Sequence, residues 1–214
     1  MHPYRLASHR RLVKALSFLS ELDKELASAR KTYGNPPDRF EPATFTSLVR
    51  IILGQQISRK VAVVFFQRLQ TNGWLEADAL AGLDYDDLQS IGLSRRKAEY
   101  IIDLARAETD GTLDLAQLNK QPAEVFSAKL MDFRGIGGWT ISNYRLFCLA
   151  DFDAWPGNDL ALMEAVKRLK LLERRPTHAE MDKFARQWKP YRGAAALLLW
   201  HLYSCLVRDR SATS

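Results

Sequence analysis

The pattern of apolar and polar positions along the chain is helical almost throughout. Leucines between residues 11 and 31 recur every three or four positions, which predicts one amphipathic helix that Gly34, Pro36 and Pro37 bring to an end. A second helix is predicted over 45–53, and Ser58 is placed to cap the next one. The apolar run at 61–66 fits a buried strand or a buried helix, and its helical neighbours favour the helix.

Helical spacing continues through the second half of the chain. Helices are predicted from about 95 to 107, over 160–170 and through the apolar stretch 193–207, which is shorter than a bilayer crossing needs. Two segments, 88–98 and 130–140, have the same outline of helix, tight glycine turn and helix. No segment alternates with period two for long enough to require a sheet. The predicted fold class is therefore all-α.

Composition and charge exclude several classes of protein. The 214 residues are 47% hydrophobic and 26% charged, enough for one globular domain or two small lobes. Two cysteines build neither a disulfide scaffold nor a four-cysteine metal site, and the four histidines lack metal-ligand spacing, so no side-chain metal site is expected. The net charge of +6 suits a polyanionic partner. We expect no membrane association and a cytoplasmic location, with the nucleoid if the source is bacterial.

The most informative segment is the glycine-rich stretch at 133–140. Gly135 and Gly137 permit positive φ and close approach of another backbone, while Ile136 between them can fill the gap between two helices. The helix that follows begins with N–H groups that have no partner within the helix, at the positive end of its dipole. That arrangement suits a phosphate and holds nucleic acid without distinguishing bases. A purely structural turn between helices fits the same residues.

An acid and a family resemblance extend this picture. Asp159 follows the hairpin after a loop with proline and glycine and opens the next predicted helix. Together these features resemble the helix-hairpin-helix base-excision DNA glycosylases, and within them the 3-methyladenine DNA glycosylase II branch. Five segments carry the resemblance in the family's order, namely 33–37, 52–58, 91–98, 135–140 and 188–192.

The resemblance implies two helical lobes with a DNA-binding cleft and a helix-hairpin-helix motif. The central lobe would comprise residues 44–151 and contain the hairpin at about 130–149. Both chain ends, 1–43 and 152–214, would form the second lobe. Arg134 is a departure, since the family often has proline before the hairpin glycines.

Asp159 is the predicted catalytic residue. Cleavage of an N-glycosidic bond builds positive charge on the sugar, so a fixed carboxylate nearby lowers the barrier. An aspartate before a helix is often only an N-cap, and the two roles are compatible. Asn158 is the alternative cap and Asp153 the alternative acid.

Trp139 decides the reaction class that the resemblance implies. Family members that also cut the DNA backbone carry a lysine there, whose amine attacks the sugar. Tryptophan lacks that chemistry, so a monofunctional glycosylase that leaves an abasic site and has no lyase activity is expected. Alkylated purines of the 3-methyladenine and 7-methylguanine type would be its substrates, because their positive charge favours an aromatic pocket.

The resemblance and the residue types together predict contacts with DNA and with the base. Gln56 stands where the family inserts a wedge when the damaged nucleotide rotates out of the duplex. A polar residue that only ends a helix fits Gln56 as well, whereas Gln55 is expected to be structural. By residue type, Trp139, Trp188 and Tyr144 are expected to line the base pocket, with Trp155, Tyr191 and Trp200 as further candidates. Packing in the core is the alternative for most of these rings. Contacts to the DNA backbone are expected from Gly135, Gly137, Gly138, Thr140, Arg134, Arg95, Arg96 and Lys97, with Arg192 as a further candidate.

The expected partner is double-stranded DNA with a damaged base, bound by a monomer without a cofactor. The family implies a monovalent cation at the hairpin backbone carbonyls. Two alternatives stay open. One is a noncatalytic helix-hairpin-helix DNA-binding module, and the other is a uracil or mismatch glycosylase on the same scaffold.

Overall fold

The computed structural model describes the backbone of residues 3–212 and the side chains of residues 8–208, and every regular element in that part is helical. In chain order the elements are α1 (Pro3–Leu22), α2 (Lys24–Tyr33), α3 (Phe45–Leu53), α4 (Arg59–Thr71), α5 (Ala77–Ala81), α6 (Tyr85–Ser90), α7 (Arg95–Thr109), α8 (Leu115–Leu118), α9 (Ala123–Met131), α10 (Gly138–Cys148), α11 (Leu160–Leu169), α12 (His178–Ala185), a 3₁₀ turn (Arg186–Trp188) and α13 (Arg192–Ala212). The predicted all-α class is confirmed. Among these helices, none has the length and apolar content to cross a bilayer.

The chain divides into two compact units. The terminal unit comprises Met1–Glu41 and Arg145–Ser214, and the central unit comprises Pro42–Tyr144. The division therefore falls inside α10 rather than at residue 151, where the sequence suggested it. The physical reason is that Leu146 is fully buried in the apolar core of the terminal unit.

The terminal unit is built from α1, α2 and α11–α13 around one apolar core. Leucines of α1 such as Leu12 and Leu16 pack in the same cluster as Val166 of α11 and Leu198 of α13. The prediction of a single helix over 11–31 is wrong, because the chain breaks at Asp23. The Asp23 carboxylate accepts the N–H groups of Glu25 and Leu26, each at 3.0 Å, and so starts α2 as a new helix.

Asp23 also links three elements inside the terminal unit. Its side chain is buried, and Oδ2 accepts Trp188 Nε1–H at 2.9 Å and Lys170 Nζ–H at 3.2 Å. Burial alone would raise the pKa of Asp23. The hydrogen bonds from Trp188 and Leu26, with the Lys170 charge, outweigh that effect and hold its pKa below the ordinary value.

In the central unit α3 packs against α4 and α7, and its Leu48, Ile52 and Leu53 are completely buried. The run at 61–66 is helical, as predicted, but it is not buried as a whole. Val61, Val63 and Val64 are 43%, 47% and 43% exposed. Six consecutive apolar residues point all round a helix, and α4 buries only Leu69 completely.

Candidate functional site

The hairpin turn, residues 132–137, joins α9 to α10 in the central unit. Gly135 has a φ of +84°, and a methyl group on it would lie 2.2 Å from Tyr100 Cδ2 and 2.3 Å from Tyr100 Cγ. Cγ carries the bond to Cβ and Cδ2 is next to it, so this part of the Tyr100 ring has little freedom to move away. Glycine is therefore required here both by the backbone conformation and by the close packing of α7.

Gln55 anchors the hairpin turn to the end of α3. Its Nε2 donates to the carbonyl oxygen of Gly135 at 2.9 Å and to Thr140 Oγ1 at 2.8 Å. The structural role predicted for Gln55 is thus confirmed. The Thr140 side chain is buried at this contact, so the prediction that it contacts a DNA backbone does not hold for its hydroxyl.

The outer side of the hairpin is open. Methyl groups built on Gly137 and Gly138 would meet no atom within 4 Å, and neither glycine has a positive φ. Nothing within the fold therefore requires glycine at these positions. Because α10 starts at Gly138, its first N–H groups have no acceptor within the helix and form a backbone surface that an anion can approach closely.

The carbonyl groups of the turn allow a test of the cation that the resemblance implies. The oxygens of Phe133, Gly135 and Gly137 accept hydrogen bonds from Ile136 N, Gln55 Nε2 and Ile141 N respectively. Each carbonyl oxygen has two lone pairs, so one protein hydrogen bond leaves capacity for an ion. The chemistry of this donor set fits a monovalent cation.

Basic side chains around the turn have different roles. Arg134 is exposed, with its guanidinium carbon 5.7 Å from the Tyr100 ring centre and Nη2 3.5 Å from Glu99 Oε2. Arg95 and Arg96 are also exposed at the start of α7, and Arg95 pairs with Glu99 at 3.2 Å. All three arginines lie where solvent, and hence a polyanion, can reach them.

Lys97 does not fit the predicted contact with DNA. Its Nζ donates to the carbonyl oxygens of Leu53 at 2.7 Å and Gln55 at 2.8 Å, and burial lowers its pKa. The ammonium therefore caps the end of α3 and fixes the turn that carries Gln56. Gln56 itself is exposed and has a φ of +58°, which is rare for a residue other than glycine.

Asp159 caps α11 in the terminal unit. Its Oδ1 accepts the backbone N–H groups of Ala161 at 2.9 Å and Leu162 at 3.0 Å. Trp200 Nε1 of α13 donates to the same oxygen at 3.0 Å. Three N–H donors therefore fix the position of this half-buried carboxylate, and the positive end of the α11 dipole adds to them.

The other acids of the acidic loop, residues 151–159, are bound to arginines. Asp151 Oδ2 accepts Arg145 Nε–H at 2.9 Å. Asp153, the alternative catalytic acid, accepts two hydrogen bonds from the Arg192 guanidinium, at 2.9 and 2.7 Å. These bonds raise the pKa of Arg192, with further contributions from the charges of nearby carboxylates. Asp153 and Arg192 thus neutralise each other, and their candidate roles as catalytic acid and DNA contact stay predictions.

The aromatic residues divide into core and accessible groups. Trp188 and Tyr144 are 0% exposed, so the prediction that they line a base pocket is wrong. Trp188 is bound to Asp23, and the Tyr144 ring stacks on Phe126 with centroids 5.6 Å apart. Trp139 is half-buried and stays a pocket candidate. No sequence feature near Trp200 predicted its hydrogen bond to Asp159, because Trp200 lies inside an apolar stretch that is typical of a buried helix.

Comparison with known proteins places the chain in a family of DNA repair proteins. The family described as HhH-GPD superfamily base excision DNA repair protein matches residues 49–190. The DNA-3-methyladenine glycosylase of Bacillus subtilis (strain 168) is 31% identical over 191 residues, covering 81% of this chain and 61% of that protein. DNA-3-methyladenine glycosylase 1 of Schizosaccharomyces pombe is 29% identical over 201 residues, covering 88% of this chain and 86% of that protein.

The fold is shared with solved structures. The 3-methyladenine DNA glycosylase of Schizosaccharomyces pombe, in complex with abasic DNA, superposes with a TM-score of 0.81 at 28% identity, covering 87% of this chain and 95% of that chain. The chain spans less than two thirds of the length of two Bacillus subtilis relatives, 64% and 61%.

Proposed function

The chain belongs to the HhH-GPD superfamily of base excision DNA repair proteins, and on that premise we propose that it is a monofunctional DNA glycosylase. It hydrolyses the N-glycosidic bond of alkylated purines in duplex DNA and leaves an abasic site. The observation that carries this proposal is the Asp159 carboxylate, which three N–H donors hold at the start of α11. The names of the similar proteins support the same substrate class.

Asp159 supplies negative charge to the reacting sugar. As the bond from C1′ to the purine nitrogen breaks, positive charge develops on the sugar, and a carboxylate already oriented by the protein stabilises it without reorganising. Because the alkylated base carries a positive charge, it leaves as a neutral purine when this bond breaks. Water then bonds to C1′ through its oxygen and releases one proton to the solvent, which leaves the abasic site. Trp200 acts as a positioning residue, since its N–H fixes Oδ1. The half-buried Trp139 supplies an aromatic face for a cationic base, and its indole, unlike the amine of a lysine, does not form a Schiff base.

The central unit supplies the contacts to DNA. The open backbone of Gly137 and Gly138 binds a phosphate. The carbonyl oxygens of Phe133, Gly135 and Gly137 would hold a monovalent cation, which would supply further positive charge there. Exposed Arg134, Arg95 and Arg96 add attraction to the DNA backbone, so affinity falls as salt rises. Gln56, exposed at the end of a turn with strained backbone, fills the space that the flipped nucleotide leaves. One monomer acts on one lesion.

The test is base release from methylated duplex DNA by the wild type and by Asp159→Asn, with strand breaks measured before and after alkali. Asparagine keeps an oxygen to cap α11, so the variant should stay folded while its release rate falls by at least about 100-fold. Breaks should appear only after alkali. Retained release by Asp159→Asn would refute the assignment of this residue.

The two other functions predict different results in the same assay. A noncatalytic binding module would bind DNA without releasing any base, in both proteins. A uracil or mismatch glycosylase would prefer a duplex with uracil or a mismatch to the methylated one. Breaks before alkali would instead indicate lyase activity, which contradicts the expectation from Trp139.

A further inference from the structure

Trp155 holds the acidic loop to α12 within the terminal unit. Its Nε1 donates to Asp182 Oδ1 at 3.1 Å, and its ring packs edge-on against buried Trp188 with centroids 5.7 Å apart. Trp188 in turn is bound to Asp23. The Trp155 ring therefore contacts the core through Trp188 and α12 through the Asp182 carboxylate.

The same ring lies against the turn that leads to Asp159. A methyl group on Gly157 would lie 2.3 Å from Trp155 Nε1 and 3.0 Å from Asp182 Oδ1, so this glycine contacts the hydrogen bond itself. The turn closes by a hydrogen bond from Asp159 N to Pro156 O at 3.0 Å. A displaced Trp155 ring would thus move Gly157, and with it the backbone of Asp159.

Asp182 contributes little to stability by this bond. Its side chain is 51% exposed, and its Oδ2 lies 3.8 Å from Nε2 of the exposed His178. Hydrogen bonds and ion pairs at such exposed positions have small effects on the free energy of unfolding. Asp182 nevertheless accepts the hydrogen bond of the Trp155 indole, and this indole lies over Gly157.

We propose that Asp182 is a positioning residue for Asp159, acting through the Trp155 indole. The inference rests on the proposed function, since it assigns Asp182 to the geometry of the proposed catalytic carboxylate. Asp182 would orient the turn that runs from Pro156 to Asp159. Trp200 would hold Oδ1 of Asp159, the last residue of that turn. Small displacements of a reacting group reduce rates strongly while leaving the fold intact.

The test compares Asp182→Ala and Trp155→Phe with two matched controls, Asp182→Asn and His178→Ala. Alanine removes the acceptor, and phenylalanine keeps a ring without an N–H. Asparagine keeps an oxygen at the acceptor position but removes the charge, which also acts on Arg192. His178→Ala removes the imidazole that lies 3.8 Å from the Asp182 carboxylate. Three measurements are made on each protein: the single-turnover rate of methylpurine release, the affinity for abasic DNA, and the ¹H–¹⁵N resonances of the Trp200 indole and the Asp159 amide.

Asp182→Ala and Trp155→Phe should each lower the single-turnover rate by about tenfold. They should shift the Trp200 and Asp159 resonances and leave the affinity for abasic DNA and the unfolding midpoint close to wild type. Both controls should resemble the wild type. Unchanged resonances in the first two variants would overturn the inference, as would an Asp182→Asn protein as slow as Asp182→Ala, because the charge rather than the hydrogen bond would then matter. The resonances need no activity, so they decide the inference even if the wild type releases no base.

Discussion

The hairpin turn and the acidic loop both lead into the start of a helix, yet they are stabilised in opposite ways. The hairpin turn presents backbone: Gly137 and Gly138 have open space beside them, while Gln55 and Tyr100 contact the turn from within the unit. The acidic loop presents side chains, each held by a residue from another element, as Asp153 is by Arg192 and Asp159 by Trp200.

This difference determines which changes each segment tolerates. A backbone surface is damaged by added atoms, because a methyl group either displaces packed neighbours or keeps a ligand away. A side-chain site is damaged by removed atoms, because each deleted donor or acceptor frees its partner to move. The predictions below test that contrast, beginning with the largest expected effect.

Gly135→Ala should destabilise the central unit by roughly 3 kcal/mol or more, because the methyl group overlaps the Tyr100 ring and the backbone has a positive φ. Urea unfolding measures the change. The double variant with Tyr100→Leu should recover part of the loss by removing the overlap, while the cost of the positive φ stays. A Gly135→Ala protein as stable as wild type would contradict the packing of α7 against the turn.

Asp23→Ala extends the contrast to a buried side chain. It should destabilise the terminal unit by about 3 kcal/mol, because Trp188 and Lys170 lose their common acceptor and α2 loses its cap. The wild type should also lose stability in acid. The pKa of Asp23 is lower in the folded than in the unfolded protein. The ionised carboxylate therefore adds fully to the free energy of unfolding above about pH 4, and this stabilisation disappears as the pH falls further.

Thermal unfolding between pH 7 and pH 2 checks this dependence. The difference in unfolding temperature between wild type and Asp23→Ala should narrow as the pH falls below about 4. A constant difference across that range would show that the Asp23 charge does not contribute.

Trp200→Phe should lower the rate of base release by about tenfold, because the ring stays while the N–H to Asp159 Oδ1 is lost. Single-turnover kinetics at saturating protein measures it, and abasic-DNA affinity serves as the control. An unchanged rate would show that the two backbone donors of α11 hold Asp159 sufficiently without Trp200.

Gly137→Ala should have the smallest effect and the most selective one. Its methyl group has open space, so stability should change by no more than about 0.5 kcal/mol. DNA affinity should nonetheless fall by about fivefold, because the methyl group keeps a phosphate from the backbone N–H groups. Fluorescence anisotropy with an abasic duplex measures it, and unchanged affinity would show that the open side of the hairpin does not contact DNA.

Local features of the sequence were predicted well because they depend on neighbours within four residues. The end of α2 at Tyr33, the start of α3 at Phe45 and the cap at Ser58 follow from prolines, apolar spacing and hydroxyl groups. The position of Asp159 as the N-cap of α11 was predicted from the same kind of local feature. Asp23 shows the limit, since its capping bonds are also local, yet regular leucine spacing across it concealed the break.

Only the tertiary structure decided which side chains meet. Trp188, Tyr144 and Lys97 are bound inside the molecule, although residue type suggested contact with DNA or base. Asp159 and Trp200 are 41 positions apart, and Asp23 and Trp188 are 165 apart. Apolar spacing shows that a helix has a buried face, but the partners of that face depend on how distant helices pack. The sequence by itself thus determined the helices, the hairpin and the candidate acid, and packing determined the residues that hold the acid in place.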